Sequence, residues 1–170
     1  MMNFLIFEVI IVLIFVSIVS YMKFTGYNKT YTKSTFLFLT VLLFQIMSEP
    51  MWLNHKLNSW AFIYGNISWV LTLGWVSILL LTILLVDGKF KESSEKTKFW
   101  LYLTTATILT VIAESIILKL GIRSYAPVLS DTFSGILIPL TQVPVEVLLA
   151  TPIITALVIS FYKFMISQVK

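Results

Sequence analysis

Four glutamates, Glu8, Glu49, Glu114 and Glu146, stand inside the apolar stretches of this 170-residue chain. A carboxylate in hydrocarbon costs a few kcal/mol even on lenient insertion scales, so each marks a candidate site. Their chemistry would be proton exchange, because a glutamate kept neutral by burial is a proton donor. Other polar residues gather beside them: Gln45 and Ser48 adjoin Glu49, Asn66 and Ser68 open the next apolar stretch, and Thr141 and Gln142 precede Glu146. His55, Lys119, Arg123 and Tyr125 flank the same stretches and supply cations and a phenol. Glu49 precedes Pro50, and Glu146 lies between Pro144 and Pro152. Prolines remove helix donors and bias the preceding residue away from helix, and broken helices persist at membrane depth only where protein or a cavity satisfies the freed groups. A pocket bordered by the second and fifth apolar stretches is therefore expected, with Trp69 and Trp75 as flat walls suited to an apolar ligand or a cationic centre.

The elements that must position these groups are long and hydrophobic. Hydrophobic residues make up 58% of the chain and charged ones only 12%, against roughly 25% charged in an ordinary soluble domain. Stretches of about 20 apolar residues predict an all-α, polytopic helical bundle with five transmembrane helices. The expected spans are Asn3 to Met22, Thr35 to Leu53, Ala61 to Val86, Phe99 to Leu120 and Gly135 to Tyr162, all within a single transmembrane domain of residues 1–170. The first has neither a basic leader nor a small-residue cleavage site, so it reads as a retained helix.

Orientation follows from the basic residues. Lys23, Lys29, Lys33, Lys89, Lys91, Lys96, Lys98, Lys163 and Lys170 fall on one side, and Lys56, Lys119 and Arg123 on the other. That asymmetry predicts an amino terminus outside and a carboxyl terminus in the cytoplasm of a multi-pass cell-membrane protein. All four glutamates then occupy the outer half, with Glu146, about ten residues into the fifth span, nearest the midplane. The net charge of +4 is dispersed over several loops without a stacking platform, which points to headgroups and away from nucleic acid.

Some residues have simpler readings. Glu8 near a span end can reach for the surface, Glu49 can be a helix-terminal residue, and Glu114 can pair with Lys119 or Arg123 as a structural latch. Trp52, Trp60 and Trp100 fit an interfacial aromatic belt. Asp87, Glu92, Glu95 and Asp131 read as loop acids. The chain has no cysteine and a single histidine, so no metal site and no cofactor is expected. Glycine-rich phosphate loops, zinc-protease motifs and serine elbows are also missing from the sequence, leaving hydrolysis and phosphoryl transfer without support.

The run AESIILKLGIRSYAPVLSDTFSGILIPLTQVPVEVLLATPIITALV, from Ala113 to Val158, resembles membrane-embedded lycopene cyclases. In that family an acid near a span end precedes a loop with glycine, an aromatic residue and proline, and the next span opens with a P-x-E-E motif. Carotenoid-biosynthesis membrane proteins of the hydratase type have a similar loop. Glu146 matches the first glutamate of the motif and Glu114 the upstream acid, while Val147 replaces the second glutamate and Leu148-Leu149 the usual aromatic pair. The resemblance implies acid-catalysed cyclisation, isomerisation or hydration of an isoprenoid or other lipid substrate. Glu146, Glu114 and Glu49 would then be the catalytic candidates, and Trp69, Trp75, Gln142, Asn66, Tyr125 and Arg123 the substrate-binding ones. Two other classes fit the same residues: a small proton-coupled transporter or ligand-binding membrane protein, and a noncatalytic subunit of a membrane complex. Partners would accordingly be a membrane lipid or isoprenoid, with a homo-oligomer or a membrane partner subunit as further possibilities.

Overall fold

The structure is a computed structural model that describes residues 4–168. Asn3, the expected start of the first span, and Lys170, one of the orienting lysines, lie outside the described residues. Five of its helices are long and apolar enough to cross a membrane. In chain order the elements are α1 (Phe4–Phe24), α2 (Thr30–Met47), β1 (Trp52–Asn54), β2 (Phe62–Tyr64), β3 (Ile67–Ser68), α3 (Trp69–Lys89), α4 (Glu95–Lys119), β4 (Arg123–Tyr125), α5 (Pro127–Ser130) and α6 (Val145–Gln168).

α3 is the central helix and packs against α1, α2 and α4, while α6 closes the bundle against α2 and α4. Its face of Val76, Leu79, Leu80 and Ile83 meets Leu37 and Val41 of α2, Ala106 of α4 and Val158 and Ile159 of α6. The opposite surfaces are also apolar: Leu13 on α1, Ile112 on α4 and Leu157 on α6 are all exposed.

The helix ends differ from the sequence expectation for local reasons. α2 stops at Met47, and Glu49–Met51 form a tight turn, because Pro50 cannot continue the helix and disfavours helix at Glu49. α3 begins at Trp69 and not near Ala61, since residues 62–68 form a hairpin turning at Gly65, whose φ is +50°. Ser68 then caps α3 by accepting the Leu71 N–H at 3.3 Å. α4 starts earlier than expected, at Glu95, where Ser94 takes the Thr97 N–H at 3.2 Å. The largest correction concerns the fifth span. Residues 135–144 fold back on themselves, with the Ile138 N–H donating to Val143 O at 2.9 Å, and α6 begins only after Pro144. Glu146 therefore sits in the first turn of α6, not ten residues inside it, and it is not the deepest of the four acids. Asp87 and Glu95, read as loop acids, belong to the last turn of α3 and the first turn of α4.

At the lysine-poor end, β1 and β4 pair antiparallel, with Trp52 opposite Tyr125 and Asn54 opposite Arg123. This ribbon joins the two long connections, α2 to α3 and α4 to α6, into one cap over the bundle.

Candidate functional site

Beneath that cap is a cavity of about 510 Å³, within the usual range for small-molecule sites. Most of its wall is apolar: Val41 and Phe44 come from α2, Trp75 and Leu79 from α3, and Ile154 and Val158 from α6. Glu49, Glu114 and Glu146 all line it, from the turn after α2, from α4 and from α6 respectively.

Each acid is held differently. Glu49 Oε1 accepts from both the backbone N–H and the side-chain amide of Asn66, each at 3.2 Å. Glu146 Oε1 accepts the Ser134 N–H at 2.7 Å, and its Oε2 is enclosed without a hydrogen-bond partner. Glu114 is almost fully buried; its Oε1 lies 3.5 Å from the Tyr125 hydroxyl and its Oε2 3.7 Å from Arg123 Nη1, too far for a hydrogen bond. Gln45 uses its Oε1 to accept from Thr72 Oγ1 at 3.2 Å, leaving its Nε2 buried and unpartnered. Two carboxylate oxygens and one amide nitrogen thus remain unsatisfied on the walls of one cavity. Buried polar atoms of this kind are uncommon and call for an explanation such as a ligand or a catalytic role.

Arg123 is the fixed cation of the site. The register of β1 against β4 places it opposite Asn54, whose Oδ1 accepts from Nε at 2.9 Å. Its guanidinium lies over two indoles, 5.0 Å from the Trp52 ring centre and 5.7 Å from that of Trp75. Asn54 in turn donates from Nδ2 to Asn66 O at 2.5 Å, so a continuous polar chain runs from Glu49 through Asn66 and Asn54 to Arg123 and Glu114. Burial lowers the Arg123 pKa, and Glu114 pulls it back up. The Tyr125 hydroxyl is pushed above its ordinary value by burial and then by Glu114, so it stays a donor.

Six of the nine candidate residues named from the sequence line this cavity: Glu49, Glu114, Glu146, Asn66, Trp75 and Arg123. Tyr125 touches it through Glu114. Trp69 does not line it; its Nε1–H donates to Trp60 O at 2.7 Å and its ring packs edge-on against Trp60. Gln142 is exposed in the loop before α6 and is likewise no part of the wall. Glu8 is buried outside the cavity, where its two oxygens accept from the backbone and side-chain nitrogens of Asn58 at 2.6 and 2.9 Å. It does not reach for the surface; it fastens the cap to α1. Lys119 donates to Leu140 O and His55 meets Ser124, so neither is paired with a cavity acid.

Trp52 and Asn54 escape sequence reasoning. Trp52 resembles an interfacial anchor, and Asn54 lies in a three-residue strand too short to show alternation. The only available signal is that WLN and RSY, both beside span ends, can pair.

Neither a family model, a curated protein nor a solved structure matches the chain.

Proposed function

We propose that this chain is a multi-pass membrane protein whose cavity takes an unsaturated lipid of the isoprenoid class and catalyses proton transfer at one of its double bonds. The observation that carries the reading is the pair Glu114 and Glu146, which line one largely apolar cavity from two different helices and each keep a carboxyl oxygen without a hydrogen-bond partner. Insertion in a bilayer is supported by helices that are apolar on every side, which leave large hydrophobic residues exposed along α1, α4 and α6. The lysine asymmetry supports an orientation with the amino terminus and the cavity on the outer side.

The chemistry needs only groups that line the cavity. One carboxyl, as the acid, gives its proton to a carbon of the double bond; the π electrons form the new C–H bond and leave a carbocation on the neighbouring carbon. The other, as a carboxylate, faces that cation and removes a proton from an adjacent carbon, whose C–H electrons become the new double bond. Ring closure between the two steps gives cyclisation, and its absence gives double-bond migration. A proton passing back between the carboxyls restores the starting state. The Trp75 face on the cavity wall adds π density toward the cation, and Arg123, packed against Trp52, keeps a charge beside Glu114 in every step.

The test is reconstitution with the acyclic carotenoid lycopene as probe. Glu114→Gln and Glu146→Gln should each lower turnover by about 100-fold or more while the protein still retains the lipid. Full turnover in both variants would overturn the reading, and so would proton flux across liposomes without product, which belongs to a transporter.

A further inference from the structure

The opposite end of the bundle carries a second cavity, of about 300 Å³, which the chemistry above does not use. Its walls bring together Lys33 of α2, Asp87 of α3, Glu95 and Lys98 of α4, and Tyr162 and Lys163 of α6. We propose that this cavity binds the phosphate headgroup of an anionic lipid, with Lys33, Lys98 and Lys163 around the phosphate. The proposal rests on the membrane placement argued above but not on the chemistry of the other cavity.

The charges at the site are arranged unequally. Asp87 is already occupied: its Oδ2 accepts from the Tyr27 hydroxyl and its Oδ1 from the Tyr102 hydroxyl, the latter at 2.5 Å. Burial and then the contact with Asp87 push the Tyr27 hydroxyl above its ordinary value, so that donor stays in place. Among the described residues Glu95 is the only acid within ion-pairing distance of these lysines, at 3.0 Å from Lys163 and 3.7 Å from Lys98, and its side chain is 77% exposed. An exposed carboxylate is a counter-ion that an incoming phosphate can replace at little cost. Lys33 has no carboxylate within ion-pairing distance among the described residues; its ammonium lies 4.5 Å from the Tyr27 ring centre. The Tyr162 hydroxyl makes no hydrogen bond among the described residues and supplies a further donor. Three lysines thus face one satisfied aspartate and one displaceable glutamate. Ile83, Ile159 and Ile166 form the remaining wall, which suits the glycerol and first methylenes of a lipid better than free phosphate. The site also lies at the lysine-rich end, which the positive-inside rule turns toward the cytoplasmic leaflet, where anionic headgroups are enriched.

The experiment uses the whole protein in nanodiscs of phosphatidylcholine with and without phosphatidic acid, read by native mass spectrometry of retained lipid. Phosphatidic acid should be retained in preference, and Lys33→Gln and Lys163→Gln should each weaken that preference about fivefold. Glu95→Gln, a change at an exposed position, should strengthen it, because it removes the competing carboxylate. Glu146→Gln at the far end should leave it unchanged, which separates this site from the catalytic reading. Equal retention of both lipids, or a preference that none of the three variants moves, would overturn the site. Inorganic phosphate displacing the lipid at equal concentration would overturn the lipid assignment in favour of a free anion.

Discussion

Replacing Arg123 by methionine tests the polar chain of the upper cavity most severely. Arg123 and Glu114 are 6% and 1% exposed, and their charged atoms are 3.7 Å apart. At an effective dielectric of about 20, unit charges at 3.7 Å attract by about 4.5 kcal/mol. Methionine removes that attraction and strips Asn54 Oδ1 of a charged donor worth about 1.5–3 kcal/mol. Burying the guanidinium is no longer required, and this offsets part of the loss. The net destabilisation should be about 3–5 kcal/mol, the usual cost of leaving one buried charge without its partner. Glu114→Gln alone removes the other charge, and the double variant leaves neither, so the double variant should lose at least about 2 kcal/mol less than the sum of the single losses. Reversible unfolding of the purified protein in mixed micelles, titrated with sodium dodecyl sulfate, measures all three. Additive losses, or a loss for Arg123→Met under about 1 kcal/mol, would refute the pair as a coupled buried element.

Other perturbations separate structural groups from those of the site. Glu8→Gln forfeits one of the two hydrogen bonds to Asn58 and should cost about 1–3 kcal/mol in the same unfolding assay, with lipid retention in the upper cavity unchanged; lost retention would give Glu8 a functional role. Gly65→Ala forces a side chain onto a φ of +50° and sets its Cβ 3.0 Å from Glu49 Oε1. A cost of about 1–2 kcal/mol is expected, and an unaltered stability would show that Glu49 moves freely. The raised pKa of the Tyr27 hydroxyl, against an ordinary value of 10.0, makes its stabilisation fully present below pH 10 and lost as pH rises above it. Asp87→Asn should shrink that alkaline loss, seen by unfolding at graded pH, and a profile identical to wild type would contradict the contact.

The helices themselves are legible in the sequence because their outer and inner faces are both apolar, so hydropathy alone marks them. Their ends are not, since hydropathy does not distinguish a span from an apolar loop. Residues 62–68 and 135–144 carry enough large apolar side chains, Phe62, Ile63 and Ile67 in one and Ile136, Leu137, Ile138 and Leu140 in the other, to extend the apolar stretches beside them, yet Gly65 and the pair Pro139 and Pro144 turn them into cap. Hydropathy therefore sets Glu146 too deep in its span, although its place on the cavity holds because Pro144 stands just ahead of the start of α6. Glu49 and Glu114 reach the cavity for reasons present in the sequence, a proline stop and an acid near a helix end. Trp69 and Trp75 show the limit: six residues apart on one helix, they point in different directions, and only packing against Trp60 or Arg123 decides which faces the cavity. The lower cavity was hidden for a different reason. Its lysines, tyrosines and acids are scattered over a connection and four helices, and each looks like an ordinary residue of a solvated end.

The most direct test of proton transfer at Glu114 and Glu146 is to run the lycopene reaction in deuterium oxide and weigh the product. Wild-type protein should place solvent-derived deuterium on carbon in the product, and Glu114→Gln and Glu146→Gln should form essentially none of it. Lycopene recovered unlabelled and unchanged from the wild type, or labelled product from both variants, would contradict it.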